Sequence, residues 1–173
     1  MPSRSGTGCR VRVATARDAA PLTELAWDLL NYHAGLTPEG TVPLQTYGEF
    51  EAVWAPYLHD FLLEPDSEAM VAELNGRLVG YSLLALRDRP PIFVGPPDVI
   101  IAELLVAPEH RRAGIGAALM AAAYEWGRKR GAGYARLHVY EANADAMGFY
   151  EHEGFIPHER VLLKRIDGGD GNG

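Results

Sequence analysis

An apolar run, Val99-Ile100-Ile101-Ala102-Glu103-Leu104-Leu105-Val106, stops at Pro108 and passes through Arg111-Arg112-Ala113-Gly114-Ile115-Gly116-Ala117 into a helix-forming stretch that reaches about Arg130. A strand that empties through a glycine-bearing turn into a helix constrains both fold and function. The first helical N–H groups have no intrahelical acceptor, and the helix dipole adds partial positive charge at that end. Such a terminus favours a phosphate or pyrophosphate. Glycines at alternate positions let the backbone approach a ligand where a Cβ would collide, and flanking arginines add charge-assisted hydrogen bonds. Two common nucleotide loops are excluded by spacing. No Lys-Ser/Thr pair follows either glycine as a P-loop requires, and Leu119 stands where the dinucleotide fingerprint needs its third glycine.

The helix after the loop is anchored by its own periodicity. Ile115, Leu119, Ala122 and Trp126 follow the i, i+4, i+7, i+11 rule and are expected to face a core, with Glu125, Arg128 and Lys129 opposite. Packing of that stripe would hold the helix N-terminus still and pre-form the cradle.

The loop fits R-x-x-G-x-G through Arg111, Gly114 and Gly116, directly after a Leu-Leu-Val strand end. Downstream, Asn143, Ala146, Tyr150, Gly154 and Phe155 fit N-x-x-A-x-x-x-Y-x-x-x-G-F, after a strand-like Ala135–Tyr140. Two signatures in this order and separation resemble the GNAT superfamily of N-acetyltransferases, over roughly Asp98 to Phe155. The resemblance implies an α/β (α+β) fold with a mixed, mostly antiparallel, twisted sheet. It implies about six to seven strands splayed between the fourth and fifth, and about four helices on the faces. It also implies acetyl-CoA as co-substrate, lying in the splay.

Elements read along the chain agree with that order. Met1 to Cys9 and Asp167 to Gly173 read as disordered Gly/Ser/Asp-rich tails around a single domain, residues 10–166. Arg10–Ala14 reads as a strand, and Thr15 with Asp18 has capping-box-like spacing before a helix striped by Leu22, Leu25, Ala26, Leu29 and His33. A second helix covers about Thr46–Phe61. Glu68–Leu74 and Arg77–Leu86 flank Asn75-Gly76, a dipeptide suited to a type I′ hairpin turn. Asp88–Pro97 holds four prolines and reads as a stiff loop. A strand around Leu137, a short helix from Asn143 and a last strand near Val161–Ile166 complete the order.

Net charge is −7, which makes nucleic acid an improbable partner and is compatible with a cationic amine. Cys9 is the single cysteine, so no intramolecular disulfide can form within the chain, and a cysteine acyl-enzyme is not expected. No apolar run approaches the ~18 residues of a membrane helix, and the N-terminus has no signal-peptide pattern. A cytoplasmic protein with no membrane partner is expected, with a homodimer left open.

Acyl transfer from a thioester to an amine needs the donor held, the ammonium deprotonated and the thiolate stabilised. The resemblance implies that backbone groups of Leu104, Leu105 and Val106 pair with the pantetheine amides. It assigns the pyrophosphate to Arg111, Arg112, Ala113, Gly114, Ile115, Gly116 and Ala117. Asn143 and Ala146 belong to the second motif, with Asn143 contacting pantetheine or positioning its helix. Glu103 is the only charged residue in its apolar strand; desolvation would raise its pKa toward the range of a general base. The competing reading is a salt bridge to Arg136 or His138. Tyr150 matches the tyrosine that the family directs at the leaving thiolate, against the alternative of a core aromatic beside Phe149. Tyr32 and His33 fall where the family lines its acceptor site, although His33 also reads as a core histidine. The remaining histidines lack ligand spacing with carboxylates or cysteines, so no metal is expected. The expected activity is acetylation of a small-molecule primary amine by direct attack in a ternary complex. A peptide or protein amine acetyltransferase and a silent acyl-CoA-binding module are the alternatives.

Overall fold

A computed structural model describes residues 8–37, 45–164 and 166. Strands β1 (Arg10–Val13), β2 (Ser67–Leu74), β3 (Arg77–Arg87), β4 (Asp98–Val106) and β5 (Tyr134–Leu137) lie side by side in chain order. The first four pair antiparallel and β5 joins β4 in parallel. Helices α1 (Ala19–Ala34) and α2 (Tyr47–Leu63) cover one face, and α3 (Ile115–Lys129) covers the other, followed by α4 (Ala144–His152). Among the described residues the sheet has five strands, fewer than expected. The stretch expected as a last strand is unpaired: residues 156–164 and 166 are in no strand, and Val161, Leu162, Leu163 and Ile166 are exposed. The two expected tails lie largely outside the described residues, but Cys9, counted in the first of them, is buried in the α3-side core beside the start of β1.

Local chemistry explains the elements. Asn75 and Gly76 both take positive φ (51° and 78°), the backbone a type I′ hairpin requires. Thr46 caps α2 through a reciprocal box with Glu49, satisfying N–H groups that the helix leaves open. At the entry to α1 the Asp18 carboxylate accepts from the Thr15 N–H and hydroxyl, at 2.7 and 2.9 Å. Arg12 of β1 clamps the same carboxylate and Glu73 of β2, which ties the helix start to the sheet edge.

Two cores sandwich the sheet. Leu22, Leu25, Ala26 and Leu29 of α1 and Phe50, Trp54, Leu58 and Phe61 of α2 pack on Val71, Tyr81, Leu83 and Leu105. Ile115, Leu119, Met120, Ala123 and Trp126 of α3 pack on Leu84, Val99 and Ile101. The stripe on α3 is therefore centred slightly differently from its expected line, with Met120 and Ala123 fully buried and Ala122 at its margin.

One irregularity positions everything that follows. Leu83 pairs with Glu103 but Leu84 pairs with Ile101, so Ala102 is an extra residue, a β-bulge in β4. Ile101 faces the α3 core while Glu103 shares its face with Leu83, on the α1/α2 side. The β4–β5 pairing covers only Asp98 to Ile101 of β4 and stops at the bulge.

Candidate active site

Beyond the bulge, the edge of β4 turned away from β3 has no strand partner among the described residues. Leu104, Leu105 and Val106 lie on that open edge. The Leu105 side chain is buried, so it can offer a ligand only its backbone. The chain then turns at Pro108–His110 and enters the loop. Arg112 (φ 61°) and Gly114 (φ 78°) both adopt left-handed conformations, and such alternation curves successive backbone N–H groups into a concave cradle. Gly114 is the N-cap of α3 and supplies no side chain to its N–H groups, and no acidic residue occupies the first turn. That terminus is suited to an anionic group by its unsatisfied donors and its lack of competing carboxylates. Arg111, Arg112, Ala113, Gly114 and Ala117 are exposed, whereas Ile115 is buried and anchors the helix.

Gly116 has a second role that the motif alone does not reveal. A Cβ there would meet the Phe149 ring of α4 at 3.2 Å. The missing side chain therefore lets α4 lean on the start of α3, and it brings the neighbouring Tyr150 into place.

The second motif builds α4, which leans on the start of α3. Asn143, 7% exposed, caps α4 by accepting from the Ala146 N–H at 3.1 Å. The same oxygen accepts from the Tyr32 hydroxyl at 3.1 Å. The Arg111 guanidinium lies over the Tyr32 ring, 5.3 Å from its centre, and its Nε donates to the Val106 carbonyl. Tyr32 thus joins the end of α1 to the loop on one side and to α4 on the other. His33 packs against Tyr140, with ring centres 4.9 Å apart, and burial lowers its pKa.

Phe149 and Tyr150 are both half-buried against the α3-side core, so neither monopolises it. Tyr150 also contacts Phe155 of the same motif. Burial, with a smaller contribution from Tyr124, pushes the Tyr150 phenol up to about 12. Among the described residues its hydroxyl has no hydrogen-bond partner.

Glu103 stands on the other face of β4. The expected alternative, a salt bridge to Arg136 or His138, is not formed among the described residues: Arg136 pairs with buried Asp98 at 2.9 Å, as does Arg89 at 2.8 Å, and no ion pair joins His138 to Glu103. Glu103 instead accepts from the Tyr81 hydroxyl at 2.5 Å, and the Trp54 side chain is near enough to act on it as a donor. Burial raises its pKa and these two donors partly offset that rise. Tyr57 of α2, 45% exposed, is near enough for its own phenol to be raised by burial and then by the Glu103 charge. Trp54, Tyr57 and Tyr81, which surround this carboxylate, were not singled out in the sequence. No local signal separates such positions from ordinary core.

Comparison with known proteins adds an independent line. The sequence profile described as Acetyltransferase (GNAT) family matches residues 30–155. An uncharacterized N-acetyltransferase of Methanocaldococcus jannaschii is 33% identical over 120 residues, covering 65% of this chain and 52% of that protein. The streptothricin acetyltransferase of Streptomyces lavendulae is 46% identical over 55 residues, covering 32% of this chain and 29% of that protein. The matched segments thus span about half, or less, of these relatives' lengths. Among solved structures, a transcriptional regulator from Bacillus halodurans superposes with a TM-score of 0.73 at 20% identity, over 91% of this chain and 99% of that one. Aminoglycoside N-acetyltransferase AAC(6')-Iy in complex with CoA superposes with a TM-score of 0.70 at 18% identity, over 95% of this chain and 99% of that one. At these identities the structural likeness establishes the fold.

Proposed function

The chain belongs to the Acetyltransferase (GNAT) family, and from that premise we propose that it transfers the acetyl group of acetyl-CoA to the primary amine of a small molecule. The observation that carries this reading is the bulge of β4. It leaves an unpaired backbone edge for the pantetheine amides and sets a desolvated carboxylate, Glu103, on the adjoining α1/α2 face. The small-molecule acceptor is favoured by the names of two similar proteins, which specify aminoglycoside and streptothricin acetylation.

In the proposed reaction the acetyl-CoA pyrophosphate rests on the loop from Arg111 to Ala117 and the N-terminus of α3. The pantetheine arm pairs with Leu104 to Val106. Glu103 takes a proton from the acceptor ammonium, its raised pKa making it a stronger base than an exposed carboxylate. The free amine nitrogen attacks the thioester carbonyl, a C–N bond forms, and the C–S bond breaks as the nitrogen gives up its second proton to solvent. Backbone donors on the open edge of β4 face the developing oxyanion. Tyr150 donates a hydrogen bond to the departing sulfur. A phenol near 12 is about 3.5 units less acidic than a thiol of about 8.5, so it stabilises the thiolate rather than surrendering its proton. Solvent returns the proton that makes free CoA thiol.

The test is a CoA-release assay against an amine panel, with the product identified by mass. Acetyl-CoA should be consumed only with an amine present, and small primary amines should be acetylated. Turnover confined to lysine-bearing peptides would overturn the acceptor class. Failure of acetyl-CoA to bind the folded protein in calorimetry would overturn the whole reading.

A further inference from the structure

Glu103 is gripped from two layers of the fold. Tyr81 is fully buried in the middle of β3, and its hydroxyl reaches one carboxylate oxygen at 2.5 Å. That length is typical of an O–H donor on an ionised acceptor. Trp54, 8% exposed on α2, adds a donor's influence on the carboxylate from the helix layer. A phenylalanine would fill the same core space as Tyr81 without placing a polar atom in an apolar interior, and a buried hydroxyl is costly unless partnered. The partner that Tyr81 has is Glu103.

We propose that Tyr81, with Trp54 as a second arm, is a positioning residue that fixes the Glu103 carboxylate and keeps it ionised for proton abstraction from the acceptor amine. The inference rests on the reading of Glu103 as the base. The indole does not titrate, and the Tyr81 phenol is held well above its ordinary value by burial and by the Glu103 charge. Both groups therefore remain donors at every working pH, and a donor to the charged form of an acid favours that form. The Tyr81 hydrogen bond holds one carboxylate oxygen and the Trp54 indole acts from a different element, which leaves the other oxygen for the amine. Other groups on this face do not substitute for them. From α2, Tyr57 feels Glu103, with Glu64 and Arg87 acting on Tyr57 in turn. From α1 the residues packed into this core are the apolar Leu22, Leu25, Ala26 and Leu29.

The test compares pH profiles of kcat/KM for the wild type, Tyr81→Phe, Trp54→Phe and Glu103→Gln, with thermal denaturation of each. Activity requires ionised Glu103, so it falls as pH drops through the Glu103 pKa. Removing a donor raises that pKa, and the acidic limb of Tyr81→Phe should move to higher pH by about one unit or more. On the limb each unit is about tenfold in rate, while the rate well above it should return toward wild type. A merely structural hydroxyl would lower thermal stability and leave the limb in place. The proposal is overturned if folded Tyr81→Phe keeps the wild-type limb while Glu103→Gln loses it. If Glu103→Gln keeps both limb and rate, the base assignment itself fails. Should Tyr81→Phe not fold, Trp54→Phe is read by the same criterion. If neither folds, the pair is architectural and the proposal is refuted.

Discussion

Tyr150→Phe separates chemistry from binding and from folding with one atom. The ring of Tyr150 packs between Phe149 and Phe155, and that packing survives the substitution. Only the hydroxyl goes, and in the free protein it has no hydrogen-bond partner among the described residues. Loss of an unpartnered hydroxyl should change stability by no more than about 0.5 kcal/mol, with the melting temperature nearly unmoved. The effect should appear where charge builds on sulfur. A hydrogen bond to a charged group contributes roughly 1.5–3 kcal/mol, which corresponds to a fall in kcat of about ten- to a hundred-fold. Because that bond strengthens only as the C–S bond breaks, KM for acetyl-CoA should stay close to wild type. Burial holds the phenol at about 12, so it is protonated throughout the usable range and the deficit should be constant across neutral and mildly alkaline pH. Steady-state CoA release on the best acceptor, with a melting curve on the same sample, decides the matter. Unchanged kcat would mean that solvent alone stabilises the thiolate and that Tyr150 is a wall of the channel. A melting temperature many degrees lower would show that the hydroxyl has a structural partner, against the premise.

Two glycines of the loop should respond differently. Gly114→Ala meets no neighbour but must hold φ 78°, so it should cost about 1–2 kcal/mol in stability and weaken acetyl-CoA binding in calorimetry as the cradle relaxes. Gly116→Ala presses on Phe149 and should perturb α4, lowering kcat with it; unchanged kcat would separate α4 from the chemistry. At the sheet edge, Arg12 beside Asp18 holds that carboxylate well below the usual range, helped by Thr15. Its contribution is therefore fully present above the unfolded value near 4 and is lost as pH falls through the lower folded value. Asp18→Asn should cost about 2–4 kcal/mol at neutral pH, with the gap to wild type closing in strong acid, as read from melting temperature against pH.

Much of the fold was legible because it is written locally. The Asn75-Gly76 hairpin, the Thr15 and Thr46 starts and the stripes of α1 and α3 each depend on residues within a few positions of one another. The misreadings concern non-local partners. Val161 to Ile166 has strand-like composition, but a strand exists only where an edge accepts it, and the described residues of that stretch pair with nothing. Cys9 looked like tail by composition and is buried because β1 carries its neighbour into the sheet. The glycine-bearing turn into α3 and the Asn143 cap were legible as motifs. That Gly116 admits Phe149, and that Tyr32 bridges Arg111 and Asn143, depends on contacts between elements far apart in the chain.

The bulge at Ala102 shows why the site as a whole lay beyond pattern reading. Alternation along β4 would place Glu103 on the same face as Ile101, toward the α3 core and away from Tyr81. One extra residue reverses that assignment and delivers the carboxylate to Tyr81 and Trp54. A bulge also bends its strand and sharpens its twist, and here the pairing with β5 ends at the same place. The placement of Glu103 and the unpaired edge of β4 are thus two consequences of one backbone irregularity. Deleting Ala102 should therefore abolish both functions together, returning Glu103 toward an apolar core, whereas Glu103→Gln should remove proton abstraction and leave acetyl-CoA binding intact. Calorimetric titration of the two variants distinguishes them, and retained acetyl-CoA binding in a folded deletion variant would show that the cleft does not depend on the bulge.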